Sequence, residues 1–297
     1  MLETNVKEDF LDLFYHEIDS QDLAKGNKLN AFVLKIKNND FAYDELVESL
    51  SNQLYKFALS RNEIKALEKE KKYGTLISRA KDKLRHYTSN EGELGEILLY
   101  CLLESHLISP KILTKLELKT NSNDYVKGAD GVHLLEISDN EYQLILGESK
   151  LNADIKSGIY ASFDSLKKFI QDQSKATFEI ALVNSQLVKE AFDEDLYKFL
   201  KKIIIPSAKE DSIYLDYSFG IFLGFEIEVT PEELQLSNSK FRTAIRNKSK
   251  KTIEDIIESF NFQINKSDFD GYSFNVYLIP FTEIEKKRKE IIQQITQ

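Results

Sequence analysis

The sequence has few of the residues that cross-link small proteins or bind soft metal ions. Only one of its 297 residues is a cysteine, Cys101, so neither an internal disulfide nor a cluster of thiolate ligands can form. The four histidines are scattered without the paired spacing of metal ligands: His16, His86, His106 and His133. We therefore do not expect a structural zinc site.

The chain also has no long apolar segments. None of its apolar runs approaches the roughly 18 to 20 residues that span a bilayer. The first ten residues, MLETNVKEDF, lack the basic and apolar regions of a signal peptide. These features indicate a cytoplasmic protein of bacterial type, and we expect neither a membrane partner nor a small-molecule cofactor.

The composition is that of a soluble globular protein, because 42% of the residues are apolar and 30% are charged. The net charge of −9 argues against a non-specific coat on nucleic acid, but it leaves room for an enzyme that contacts DNA through local positive charge. Two segments are basic, residues 61–85 and residues 240–251. We interpret both as solvated helix faces.

Hydrophobic periodicity predicts alternating helices and strands along the chain. In the first part it predicts a helix at 5–18, a strand at 31–37, a helix at 41–59 and a basic helix ending near 86. Next come a helix in SNEGELGEILLYCLLESH capped by Ser89 or Asn90, strands at 111–119, 131–137 and 142–151, a helix from Ser157 to 172 and a strand at 178–185. The remainder predicts a helix at 187–204, strands at 212–217 and 220–229, a helix at 238–262, a strand at 272–281 and a terminal helix. The fold class is therefore α/β, with a mixed central sheet flanked by helices and an αβββαβ order in the middle of the chain.

Ionisable residues stand at the ends of two apolar strands in GADGVHLLEISDNEYQLILGESK, residues 128–150. Glu148 and Lys150 are two apart on a strand, so they project from one face about 7 Å apart. Asp130 starts the preceding strand. A three-residue loop would place Asp130 opposite Glu148, whereas a two-residue loop would place it opposite Ser149 on the other face. For Asp130 and Glu148 to share one face, the loop must therefore have an odd number of residues or the hairpin must contain a bulge.

The helix before these strands supplies further carboxylates. Glu93 and Glu96 are three residues apart and share one helical face. Either could reach Asp130 and Glu148, although Glu93 could instead complement the helix dipole. Two or three carboxylates suit Mg²⁺ or Mn²⁺, and a neighbouring lysine can orient water. These are the groups needed for metal-dependent hydrolysis of a phosphodiester. The alternative is an exposed hairpin end with a Glu148–Lys150 ion pair.

The order of elements, Ala129-Asp130 and the Glu148-x-Lys150 motif resemble the PD-(D/E)xK nuclease superfamily, with alanine in place of the proline. The segments GELGEILLYCLLE, KGADGVHLL and LILGESKL resemble the HamA-like nuclease subunit of Hachiman-type antiphage defence systems, over residues 88–185. This resemblance implies a restriction-endonuclease-like core that acts on DNA with a helicase subunit encoded nearby. It further implies that Asp130, Glu148 and Glu93 or Glu96 hold Mg²⁺ or Mn²⁺, while Lys150 orients the attacking water.

The predicted division of the chain follows from this resemblance. Residues 1–87 form an N-terminal helical and β extension, and residues 88–297 form the nuclease-like domain with a C-terminal α/β elaboration, the two able to pack as one unit. Two other functions stay open. One is a catalytically inactive module that binds DNA or regulates a helicase, and the other is a ribonuclease. We expect His133 to be a packed histidine rather than a catalytic base.

Overall fold

A mixed sheet of seven strands, in the order β1-β2-β9-β8-β7-β6-β5, lies at the centre of the fold. The computed structural model describes residues 2–85, 92–118, 129–172, 181, 183–185, 187–191, 193–205 and 213–297. The strands of this sheet are β1 (Phe14–Asp22), β2 (Lys28–Leu34), β5 (Lys111–Thr114), β6 (Gly131–Ser138), β7 (Glu141–Asn152), β8 (Tyr214–Glu226) and β9 (Ser273–Phe281). Two short strands, β3 (Ile36–Lys37) and β4 (Asp40–Phe41), pair separately.

Helices cover both faces of the sheet. They are α1 (Tyr43–Ala58), α2 (Arg61–Lys69), α3 (Tyr73–Arg85), α4 (Glu93–Ser105), α5 (Lys115–Leu118), α6 (Ile155–Gln171), α7 (Glu194–Ile204), α8 (Pro231–Leu234), α9 (Asn238–Glu254), α10 (Ile257–Ile264) and α11 (Ile284–Thr296). Three 3₁₀ turns occupy Glu8–Leu13, Ala24–Gly26 and Ser267–Phe269. Residues 183–185 and 187–190 are helical as well.

Two hydrophobic cores result, one on each face of the sheet. The first lies between the sheet and helices α1, α3, α4 and α11, and the second lies under α6, α7 and α10. Neighbouring side chains of a strand point to opposite faces. Accordingly, Phe222 belongs to the first core and Ile221 to the second, and both are fully buried. A strand buried on both faces has to be apolar throughout, as the middle of β8 is.

The predicted fold class is confirmed. Strands β5, β6 and β7 are antiparallel neighbours, and β8 runs parallel to β7. Helix α4 precedes these strands, and α6 lies between β7 and β8. The αβββαβ order is thus present, and it is consistent with a restriction-endonuclease-like core. However, β8 rather than residues 178–185 supplies its last strand.

Two predicted elements are wrong. The helix expected at 5–18 is a 3₁₀ turn followed by β1, because residues 14–22 pair with β2 and backbone pairing outweighs a weak amphipathic pattern. In the strand expected at 178–185, residues 181 and 183–185 are helical, and the rest of that segment lies outside the described residues. A short apolar run is compatible with either a strand or a buried helix, and the described residues of this segment are helical.

Several predicted boundaries also shift. The basic helix divides into α2 and α3 at Lys71, whose φ is +56°. The strand expected at 111–119 ends at Thr114 because α5 follows it. The helix predicted from Ser157 begins at Ile155, since the Asp154 carboxylate accepts a hydrogen bond of 2.7 Å from the Ser157 amide. The caps predicted at Ser89 and Asn90 lie outside the described residues.

In the second half of the chain, two predicted strands merge and one predicted helix divides. The strands expected at 212–217 and 220–229 are one strand, β8, and the helix expected at 238–262 divides into α9 and α10. Gly220 lies inside this strand and allows close packing, because a Cβ there would lie 3.1 Å from Leu103 Cδ2. The helix expected at 187–204 is described as residues 187–190 and α7.

The predicted division at residue 87 falls in residues 86–91, outside the described residues, and it stays a prediction. Strands β1 and β2, which precede it, belong to the same sheet as β9 from the end of the chain. No helix in the described part of the chain is both long and apolar enough to cross a membrane.

Candidate active site

A β-bulge sets the register of the hairpin that carries the predicted site. Ser138 pairs with Glu141 across a two-residue turn, and the pairing shifts by one residue between Ser138 and Glu136. Val132 then lies opposite Leu146, the last pair of this ladder, two residues from Asp130 and from Glu148. The Asp130 amide donates to the Gly147 carbonyl at 2.9 Å, which holds the residue before β6 against β7. The bulge therefore gives the body of the hairpin the register that a three-residue loop would give.

Asp130 is held firmly by the neighbouring strand. Its Oδ2 accepts hydrogen bonds of 2.8 Å from both the amide and the hydroxyl of Ser149. Its Oδ1 lies 3.3 Å from the ammonium of Lys115. Only 9% of the residue is exposed. One carboxylate oxygen is therefore committed to positioning Asp130, and the other is directed at positive charge.

Glu148 and Lys150 form an ion pair at the end of β7, in which the Lys150 ammonium donates to Glu148 Oε1. Burial raises the pKa of the Glu148 carboxyl, and the negative charge of Asp130 raises it further, while Lys150 opposes both effects. The expected side-by-side placement on the strand is therefore present. Two neighbouring, buried carboxylates repel each other, and this repulsion favours a cation between them.

Glycine allows helix α4 to approach the same strand. A Cβ at Gly95 would lie 2.6 Å from Leu151 Cδ1 and 3.0 Å from Ser149 Oγ, so any side chain would push the helix away. This contact places Glu96 close enough to line one small cavity with Asp130 and Gly147. The helix carboxylate is thus brought to the site by backbone packing.

The two candidate helix carboxylates occupy different positions. Glu96 Oε1 lies 3.8 Å from the Lys115 ammonium, which also contacts Asp130. Glu93 is buried in the first turn of α4, with 4% of its surface exposed. The structure therefore joins Glu96 to Asp130 through a shared lysine.

Lys115 is the member of the cluster that we did not predict. Burial opposes its positive charge, but the carboxylates of Asp130, Glu96 and Glu148 raise its pKa above the ordinary value. Sequence alternation placed this residue inside a strand, with nothing to distinguish it from the other lysines of KILTKLELK. The signal lies in strand pairing, because Thr114 is opposite Gly131, which sets Lys115 beside Asp130.

The cluster of Glu96, Lys115, Asp130, Glu148 and Lys150 is called the carboxylate–lysine cluster below. Its donors are carboxylate oxygens, which is the chemistry that Mg²⁺ and Mn²⁺ prefer. In the described chain, the ligand oxygens of the three carboxylates do not all lie within 4.8 Å of one another. The Lys115 ammonium lies beside Glu96 and Asp130, and the Lys150 ammonium lies beside Glu148.

His133 lies in the core close to this cluster. Its Nδ1–H donates to the Ser109 carbonyl at 2.8 Å, and only 1% of the residue is exposed. Burial lowers its pKa to about 4, so the ring is neutral near pH 7. The structure therefore places His133 as a packed histidine.

The mixed sheet and the carboxylate–lysine cluster are consistent with the PD-(D/E)xK class of nuclease-like proteins. A family model for HamA matches residues 8–295, which is nearly the whole chain. The chain therefore belongs to the HamA family, the nuclease-like subunit of the Hachiman antiphage defence system. No curated protein matches the sequence. The family match confirms the resemblance found over residues 88–185 and extends it over both ends of the chain.

Proposed function

We propose that this protein is a metal-dependent deoxyribonuclease, the effector of a Hachiman antiphage defence system, and that it cleaves DNA at the carboxylate–lysine cluster. The main support is the buried position of Asp130 beside the end of β7, where its carboxylate accepts two hydrogen bonds from Ser149 and its charge acts on Glu148, while Lys150 pairs with Glu148. A solvent-facing hairpin end would not need this convergence, and its charges would not be buried. Asp130 and Glu148 are each only 9% exposed.

The divalent ion, Mg²⁺ or Mn²⁺, would be held by Asp130, Glu148 and Glu96. Glu93, the alternative helix carboxylate, lies one turn earlier in α4. When bound, the ion would supply positive charge at a phosphate oxygen and lower the pKa of a bound water. The oxygen-only donor set and the raised pKa of Glu148 both fit a site that gains stability from a cation.

The protein's own groups would orient the reactants. Lys150 is placed beside Glu148, where its ammonium can position the attacking water and stabilise charge on phosphorus. Ser149 keeps Asp130 in place through two hydrogen bonds. Lys115 would leave Asp130 Oδ1 when that oxygen becomes a ligand, and its ammonium would then be free to contact a phosphate of the DNA.

The proposal is tested by incubating supercoiled plasmid with wild-type, Glu148→Gln and Lys150→Ala protein in the presence of Mg²⁺ or EDTA. Wild-type cleavage should require the metal, and each variant should lose about 100-fold or more of the rate. The control is Glu194→Gln with Lys198→Ala, which removes an exposed ion pair of α7. Full cleavage by either cluster variant would refute the assignment.

A second candidate is a nuclease-fold module without activity. It is favoured by one observation, the pairing of Lys115 with Asp130 and Glu96, which neutralises part of the cluster without a metal ion. Thermal unfolding with Mn²⁺ separates the two functions. A stabilising shift that disappears in Glu148→Gln favours the enzyme, whereas no shift favours the module. Competition between plasmid, linear DNA and single-stranded RNA then tests the ribonuclease alternative.

We further propose that the chain binds the helicase subunit of its Hachiman system, and that this partner restrains cleavage in an uninfected cell. An unrestrained nuclease would attack the host chromosome. Co-expression with the neighbouring helicase gene, followed by size-exclusion chromatography, should give a complex. Plasmid cleavage by that complex should be slower than cleavage by the free chain, and equal rates would argue against restraint.

A further inference from the structure

Three potential metal ligands meet on the far side of the sheet from α6, at the opposite end of α4 from Glu96. His16, Asp19 and His106 each offer a ligand atom, a ring nitrogen or a carboxylate oxygen, and these atoms all lie within 4.8 Å of one another. His16 and Asp19 belong to β1, and His106 is the C-cap residue that directly follows α4. Among the described residues, no other group of three histidine, cysteine or carboxylate side chains meets this spacing.

The linear sequence hides this group, since its two histidines are 90 positions apart. We expected no paired ligand spacing among the histidines. The fold nevertheless brings His16 and His106 together, with ring centroids 5.5 Å apart in an edge-to-face arrangement. Pairing of β1 with β2, and of β2 with β9, brings the edge strand to the end of α4.

Other side chains orient the two imidazoles. The Tyr277 hydroxyl lies 3.2 Å from His106 Nδ1, which leaves Nε2 as the ligand atom. Phe32 stacks on the His16 ring with centroids 4.3 Å apart. His16 Nε2–H donates to Asn30 Oδ1 at 3.2 Å, a bond that is lost if Nε2 is the nitrogen that binds the ion, and Asn30 Oδ1 also accepts from the Ser20 amide at 2.9 Å. A bond such as that between Tyr277 and His106 Nδ1 sets the ring orientation and the free nitrogen of a metal-binding histidine.

The electrostatics favour a cation at this position. His106 stands at the C-terminal end of α4, where the helix dipole gives a partial negative charge. Asp19 adds a full negative charge, and its Oδ1 lies 3.9 Å from His16 Nε2. His16 and Asp19 are exposed and His106 is half-buried, so an ion can enter from solvent.

We propose that His16, Asp19 and His106 bind one divalent transition-metal ion of the zinc class, separate from the carboxylate–lysine cluster. Two imidazole nitrogens and one carboxylate oxygen suit Zn²⁺ or Co²⁺ rather than Mg²⁺, with water in the remaining position. The ion would fasten the edge strand β1 to the end of α4. Since α4 carries Glu96 at its other end, the same helix connects both sites.

The test uses the full chain, purified without a histidine tag, stripped of metal and titrated with Co²⁺. Excess Mg²⁺ is present throughout, because it occupies oxygen-only sites and competes poorly for imidazole. We expect one equivalent of Co²⁺ per chain, with the visible absorption of four- or five-coordinate cobalt. Competition with Zn²⁺ should abolish that absorption. Neither readout depends on DNA cleavage, so failure here leaves the proposed nuclease function untouched.

His16→Ala, His106→Ala and Asp19→Asn should each weaken Co²⁺ binding by at least ~10-fold. The matched control is Asp22→Asn, which removes an exposed carboxylate of the same strand that pairs with Lys28. Exposed positions such as His16 and Asp19 tolerate substitution, and circular dichroism checks that each variant is folded. Absence of stoichiometric Co²⁺, or equal binding by the control and the three variants, would overturn the proposal.

Discussion

Asp130 and Ser149 are joined by two hydrogen bonds to a single carboxylate oxygen. The amide and the hydroxyl of Ser149 both donate to Asp130 Oδ2 at 2.8 Å. Because Ser149 lies between Glu148 and Lys150, this contact fixes Asp130 directly to the strand segment that carries both. The middle residue of the Glu-x-Lys motif is thus a positioning residue in this chain.

Replacing Ser149 by alanine should keep the amide contact and remove the hydroxyl contact. We expect a loss of about 1 kcal/mol in the free energy of unfolding and about tenfold slower plasmid cleavage, because Asp130 gains freedom. Ser105→Ala is the control, since the Ser105 hydroxyl bonds to the Cys101 carbonyl at the other end of α4. That variant should lose similar stability and keep full cleavage. Equal cleavage by both variants would contradict a positioning role for Ser149.

The Glu93 and Glu96 alternatives separate in a metal titration. Glu96 shares the Lys115 ammonium with Asp130, so Glu96→Gln should raise the Mg²⁺ concentration for half-maximal cleavage by about tenfold. Glu93→Gln should change this concentration less and act mainly on stability, since Glu93 is buried in the first turn of α4. Plasmid cleavage over a Mg²⁺ series measures both. The opposite order of effects would identify Glu93 as the helix carboxylate.

The close approach of α4 to β7 gives a third prediction. Gly95→Ala would place a Cβ 2.6 Å from Leu151 Cδ1, which forces the helix and Glu96 away from the strand. We expect a loss of about 1–3 kcal/mol in unfolding free energy, together with slower cleavage. Gly74→Ala is the control, because a Cβ at Gly74 meets nothing within 4 Å. Chemical denaturation of the two variants compares the costs.

The fold and part of the site could be read from local sequence. Alternation predicted β6 and β7, and the apolar run ending in Glu148 and Lys150 predicted a charged end on a buried strand. The register was left open, because a bulge near Ile137 changes the face of every later residue without any distinct residue type to mark it. The motif therefore predicted candidate ligands, and only the folded structure shows that Asp130 bonds to the strand segment that carries Glu148 and Lys150.

Local sequence patterns did not predict the positions of residues that are set by long-range contacts. Lys115 reaches Asp130 only because β5 pairs with β6 and then ends, and neither event has a local signal. The local pattern predicts a helix where β1 lies, because only pairing with β2 favours the extended form. The His16–His106 contact likewise depends on the order of strands in the sheet. These features were set by tertiary pairing, which outweighs local propensity.

Lys115 should compete with the metal ion. Lys115→Met removes the ammonium that lies 3.3 Å from Asp130 Oδ1, so the carboxylates lose their positive partner. Without metal, we expect a loss of about 1–3 kcal/mol in unfolding free energy, and Mg²⁺ should stabilise the variant more than it stabilises the wild type. Thermal unfolding with and without Mg²⁺ measures the difference. Lys168→Met, which removes an exposed ion pair of α6, is the control. Equal stabilisation of all three proteins by Mg²⁺ would contradict competition.

The raised pKa of Glu148 predicts a pH dependence of stability. Burial, and then the charge of Asp130, raise the pKa of this carboxyl above its ordinary value of 4.5. The folded protein therefore holds the proton more tightly than the unfolded chain does. As a result, the contribution of Glu148 to the free energy of unfolding falls as pH rises from the ordinary to the raised pKa. Glutamine in its place does not titrate. The stability of Glu148→Gln relative to wild type should increase over that interval and level off above it.

Urea unfolding of metal-free wild type and Glu148→Gln, from about pH 4 to about pH 8, tests this dependence. Glu194→Gln is the control, because Glu194 is exposed on α7 and pairs only at the surface with Lys198. Its difference from wild type should change little with pH. Saturating Mg²⁺ should remove the advantage of Glu148→Gln, since the ion stabilises the ionised carboxylate of the wild type. A relative stability of Glu148→Gln that stays constant or declines with rising pH would show that Glu148 is not a strained, buried carboxylate.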